Sequence, residues 1–114
     1  MDAVFIELPA FERNRSEYFD EESFADLLDT LMADPSAGHV IEGAGGLRKL
    51  RFGDPRRGKG KRGGLRVVYY FWTGGPEFWL FTVYDKAEAS DLTPRQRDLL
   101  KESLKRELKA RRTS

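Results

Sequence analysis

The sequence predicts an α+β domain: a small, mostly antiparallel sheet with two N-terminal helices on one face and a C-terminal helix, in the order β-α-α-β-β-β-α. Three observations carry that prediction. Phe24, Leu27, Leu28, Leu31 and Met32 recur at helical spacing and define an amphipathic helix early in the chain. Two long β-branched and aromatic runs, LRVVYYFW (65–72) and FWLFTVYDK (78–86), are separated only by the turn sequence TGGPE. Thr93-Pro94-Arg95-Gln96 forms a capping box with proline at the first helical position, opening a final helix. A length of 114 residues suits one domain, 1–114, able to bury roughly two thirds of its unfolded surface.

The elements follow in order. AVFIEL (3–8) reads as a short strand closed by Pro9, which can open a short first helix carrying Phe11, Tyr18 and Phe19. Asp20 is a good N-cap for the amphipathic helix, with Glu21 and Glu22 in its first turn. That helix ends near Asp34, because Pro35 disfavours helical backbone before it. His39 to Gly46 is a loop or short strand broken by Gly43, Gly45 and Gly46, and LRKLRF (47–52) is a strand. Gly53 to Gly64 is a basic, glycine-rich connection. The two long runs are apolar on both faces, which predicts central strands covered on both sides. Leu99, Leu100, Leu104 and Leu108 make a narrow apolar stripe on the last helix, which reaches about Lys109.

Composition excludes several chemistries. There is no cysteine, so no disulfide framework and no thiol nucleophile, and the single histidine excludes the common zinc sites. No P-loop occurs, and GAGG (43–46) precedes a strand instead of opening a helix, so it is not a dinucleotide fingerprint. No stretch is apolar enough to span a membrane, and MDAVFIELP has no basic region of the kind that begins a signal peptide. The expectation is a cytoplasmic protein without metal or cofactor. His39 reads as a loop or partly buried residue rather than as a catalytic base. Asp85 and Asp91 are the only acids close to the end of a central strand.

Charge is distributed unevenly. The formal net charge is only +1. Residues 1–42 nevertheless hold eleven acids against two arginines, whereas residues 48–66 hold nine lysines or arginines against Asp54 alone. Strand periodicity puts Lys49 and Arg51 on one face, with Arg48, Leu50 and Phe52 on the other. If 47–52 pairs with 65–72, Arg66 lies opposite the Lys49–Arg51 pair, and Lys86 ends the neighbouring strand. Such residues often only keep a sheet solvated. Like charges facing each other repel, however, and no acid interleaves locally, so the cluster points to a bound anion. Arg48, Arg56, Arg57, Lys59, Lys61 and Arg62 extend the basic surface, and glycines let backbone N–H groups approach phosphates. Nearby aromatic residues suit single-stranded RNA, although a core role accounts for most of them.

GGLRKLRF, GKGKRGGLRVVYYF and FTVYDKAEASDLTPRQRDLL together resemble the HigB-type branch of the RelE-like toxins of bacterial type II toxin–antitoxin systems, and the likeness covers nearly the whole chain. The resemblance implies an endoribonuclease, an mRNA interferase, that cuts messages on translating ribosomes without metal. The 2′-OH attacks the adjacent phosphate and yields a 2′,3′-cyclic phosphate and a 5′-OH. It assigns Arg66 to phosphate stabilisation, and Lys49, Arg51 and Lys86 to proton transfer or charge stabilisation. Some members carry a catalytic tyrosine in the final segment, where this chain has Asp91-Leu92-Thr93 and no tyrosine after Tyr84. The implied partners are the ribosome, mRNA and a HigA-like helix-turn-helix antitoxin. A non-catalytic RNA-binding module and a protein-interaction domain are the alternative expectations.

Overall fold

A computed structural model describes residues 3–53, 64–89 and 91–113. The chain runs β1 (Val4–Glu7), α1 (Pro9–Tyr18), α2 (Glu21–Ala33), β2 (His39–Val40), β3 (Arg48–Phe52), β4 (Leu65–Trp72), β5 (Glu77–Asp85) and α3 (Pro94–Thr113). The α+β architecture expected from the sequence is present, with the short-strand alternative realised after His39. The sheet therefore has five strands, ordered β1-β5-β4-β3-β2. Only the β1–β5 pair is parallel; the other three pairs are antiparallel.

The helix ends obey local chemistry. Asp20 accepts from the Ser23 N–H at 2.7 Å while the Ser23 hydroxyl accepts from the Asp20 N–H at 3.0 Å, a reciprocal cap. Thr93 and Gln96 form the second capping box, with bonds of 2.8 and 3.1 Å. Helix α3 runs further than the expected end near Lys109. The Arg111 guanidinium stacks 5.2 Å from the Trp79 ring and reaches Glu77 at 3.3 Å, so tertiary contacts hold the last turns.

The central strands are covered on both faces, as their apolar runs predict. Helices α1 and α2 cover one face: Phe11, Phe19, Leu27 and Leu31 pack on Leu50, Val67, Tyr69, Phe78, Leu80 and Val83. Helix α3 covers the other through Leu104, which joins Val68, Trp79 and Phe81 together with Leu47 and Ala44. Leu99 departs from the expected stripe and is 58% exposed.

A β-bulge sets the phase of β5. Val68 pairs with Thr82 and Tyr69 with Leu80, leaving Phe81 as the extra residue. Phe81 and Thr82 both look toward α3, so Tyr84 falls on that face as well, opposite Arg66, whereas Val83 and Asp85 fall on the other. At the opposite end of the sheet, Gly38 lies against Tyr69 and the Lys49 backbone. A Cβ there would sit 2.8 Å from the Tyr69 ring. The Tyr69 hydroxyl donates to the Pro35 carbonyl at 2.7 Å and accepts from the Gly38 N–H at 3.0 Å, fixing how the chain leaves α2 and enters β2.

Candidate functional site

The pairing of β3 with β4 brings the predicted cations together. Arg51 is directly opposite Arg66, and Lys49 is opposite Val68, all on the α3 face. Strand β2 continues the row: His39 is opposite Lys49 and therefore shares its face. The last contributors come from the other side of the fold, where the segment leading into α3 brings Asp91 and the first turns of α3 bring Arg97. His39, Glu42, Lys49, Arg51, Asp91 and Arg97 line one polar hollow of about 270 Å³.

The electrostatics of the hollow are mixed. Lys49 Nζ donates to Asp91 Oδ1 at 3.0 Å, and the Leu92 N–H donates to the same oxygen at 2.7 Å. The Lys49 bond, the Leu92 N–H and the nearby Lys49 and Arg97 charges hold the Asp91 carboxyl below its usual range, against a smaller effect of burial. No acid interleaves with the basic strand pair itself; the fold brings Glu42 from the β2–β3 turn and Asp91 from 42 residues beyond Lys49. Asp91 is 63% exposed and Lys49 28% exposed, so the pair sits at the rim and is open to solvent.

The other predicted residues have different fates. Arg66 is only 4% exposed and donates to the Leu65 carbonyl at 3.1 Å; it pairs opposite Arg51 but does not line the hollow. Lys86 follows β5, where its N–H bonds the Gly64 carbonyl at 3.1 Å. It is exposed at the strand exit and does not line the hollow. Lys49, Arg51 and Arg66 thus share one face of the β3–β4 pair, and Lys86 lies just beyond the end of β5. Arg48 is on the opposite face, where its guanidinium donates to the Gly38 carbonyl at 2.8 Å and reaches the Ser36 carbonyl at 3.5 Å. That geometry braces the turn after α2. Arg56, Arg57, Lys59, Lys61 and Arg62 lie outside the described residues.

Asp85 and Asp91, paired by sequence proximity, are separated by the fold. Asp85 is buried, and its carboxylate accepts from the Ala87 N–H at 2.8 Å, shaping the turn after β5. Tyr84 shares the face of Arg66, but its hydroxyl is buried and has no hydrogen-bond partner among the described residues. Burial pushes the Tyr84 phenol up, the Asp91 charge adds to this, and Arg66 opposes it. A phenol so placed is a poor source of phenolate. Beside it, Thr82, Tyr84, Asp91, Leu92 and Leu99 border a second, mainly apolar hollow of about 250 Å³ that shares Asp91 with the polar one.

Sequence reasoning set His39 aside and missed Arg97. His39 is neither in a loop nor partly buried: it is exposed on β2 and opens on the cationic hollow. The available signal was the short-strand reading of 39–46, which would have paired His39 across from Lys49. Arg97 had none, since its place depends on how α3 docks. Among the described residues, no three His, Asp or Glu side chains converge as a metal-binding group. No described helix is long and apolar enough to cross a membrane. No protein-family model matches this chain.

Proposed function

We propose that this protein is the toxin of a type II toxin–antitoxin system, of the HigB-type branch of the RelE-like toxins. It acts in the cytoplasm as a ribosome-dependent, metal-independent mRNA endoribonuclease and inhibits translation. The single observation that carries the reading is the convergence of Lys49, Arg51 and Arg97 from a strand and a helix on one hollow, with Arg66 paired directly opposite Arg51 on the next strand. Glu42 and Asp91 line the hollow beside three cations, so they offset only part of the positive charge, and the remainder favours a further anion. A phosphodiester is the anion that the resemblance of the chain favours.

In the reaction, the 2′-oxygen attacks the adjacent phosphorus, the bond to the 5′-oxygen breaks, and a 2′,3′-cyclic phosphate and a 5′-OH result. Lys49, Arg51 and Arg97 surround the phosphate and oppose the charge that grows on its oxygens. Arg66, directly opposite Arg51 on the next strand, adds its charge to that field. Lys86, exposed just after β5, supplies a further cation for the RNA backbone. A HigA-like antitoxin neutralises the protein by covering this face or by keeping it off the ribosome.

A reconstituted translation reaction tests the proposal. Purified protein is added to ribosomes on a defined message, and new 5′ ends are mapped by primer extension for wild type, Arg51→Ala and Arg66→Ala. Cuts that require ribosomes, carry 5′-OH ends and fall by about 100-fold or more in the variants support the proposal. Ribosome binding without cuts would replace it with a non-catalytic RNA-binding role, and the absence of both would leave a protein-interaction domain.

A further inference from the structure

We infer that His39 is the general base of this site, taking the proton from the attacking 2′-OH. The inference rests on the ribonuclease reading above. Proton removal needs a side chain in the hollow with an unprotonated lone pair near neutral pH. Arginine is a cation throughout the relevant range, which removes Arg51 and Arg97. Lys49 is engaged as an ammonium by Asp91 at 3.0 Å. Asp91 is the anion of that pair, already accepts two hydrogen bonds and is held below its ordinary range, which makes it a weak base. Glu42 remains, but it is exposed in the turn between β2 and β3, outside the strand pairing that sets His39 against Lys49. Tyr84 is buried with its phenol pushed up. Histidine is the residue type that exchanges a proton near neutrality.

Position supports the assignment. His39 and Lys49 are directly opposed across β2 and β3, so both project into the hollow from neighbouring positions. The charged groups that line the hollow with His39 are Glu42 from the β2–β3 turn, Lys49 and Arg51 from β3, Asp91 from the segment before α3, and Arg97 from α3. A phosphodiester among these cations presents its ribose to the edge of the hollow formed by β2. The imidazole nitrogen accepts the 2′ proton as the oxygen–phosphorus bond forms, and the Lys49 ammonium, released from Asp91, protonates the departing 5′-oxygen. The step needs no further reactant, and the two residues exchange protons with water afterwards.

Single-turnover cleavage by wild type and His39→Ala, measured from about pH 5 to about pH 9, tests the inference. Wild type is expected to slow on the acid side, as the imidazole gains its proton. His39→Ala is expected to be about 100-fold slower or worse near neutrality, to lose that acid limb, and to regain rate with added free imidazole. A wild-type-like rate or a retained acid limb in the variant would overturn the assignment while leaving the ribonuclease reading intact. An independent readout is the NMR titration of the His39 ring with and without an uncleavable 2′-O-methyl dinucleotide. The phosphate is expected to raise the titration midpoint, because an adjacent anion favours imidazolium. An unmoved midpoint would overturn the assignment even in a protein that cuts. A moved midpoint in a protein that cuts nothing would refute the reaction and the base role together.

Discussion

The two faces of β3 differ more than their sequence does. Arg48 and Lys49 are neighbours of like charge, yet Arg48 turns toward α2 and closes its hydrogen bonds on backbone carbonyls, whereas Lys49 turns toward α3 and into an open polar hollow. On the α2 face the aromatic rings interlock, with Phe11, Phe19 and Phe24 all within 6.2 Å of one another. On the α3 face the apolar packing around Trp79 gives way, toward Arg51 and Arg66, to charged groups. The lesson is that a cation's role is set by what its face meets. Where the partner is a carbonyl of the same fold, the residue is structural; where it is an exposed carboxylate at the rim of a hollow that other cations line, an incoming anion can compete for the residue.

The widest test of this contrast is Leu27→Ala. Leu27 is fully buried on the α2 face, and its truncation should cost about 2–5 kcal/mol of stability in denaturant melts. The variant's RNA affinity per folded molecule should not change. Tyr69→Phe should cost about 1–3 kcal/mol, because it strands the Gly38 N–H and the Pro35 carbonyl at the same time. A loss as small as that of an ordinary surface change would show that water replaces the hydroxyl there.

Arg48→Ala against Arg51→Ala sharpens the comparison further. Arg51→Ala should lower the salt dependence of RNA or ribosome binding by about one ion, with little change in melting. Arg48→Ala should leave the salt slope alone and cost about 1 kcal/mol of stability. Reversed results would mean that the Arg48 face is the one that meets RNA.

The smallest effect belongs to Asp91→Asn. The rim pair contributes under about 1 kcal/mol. Because the folded-state carboxyl is held below its unfolded value, that contribution is full above the ordinary carboxylate range and disappears as pH falls through the depressed value. The stability gap between wild type and Asp91→Asn should therefore close in strong acid. A gap that widened there would contradict the sign of the shift.

Much of this molecule was legible before folding. The helical spacing of Phe24 to Met32, the capping residues Asp20 and Thr93, and the β-branched run at 65–72 act over a few residues, so local propensity and periodicity determine them. Alternation along β3 likewise separated Lys49 and Arg51 from Arg48. What the local pattern could not reach was anything needing a register or a docking angle. The bulge at Phe81 and Thr82 decides that Tyr84 joins Arg66 while Asp85 leaves it, and a strand apolar on both faces gives no sign of where its phase slips. His39 met Lys49 only through the β2–β3 pairing, and Asp91 and Arg97 arrived only when Leu104 seated α3 on Val68 and Trp79. The sequence determined the elements and the supply of charge. The tertiary structure decided which charges share a hollow, because that depends on burying apolar surface between residues far apart in the chain.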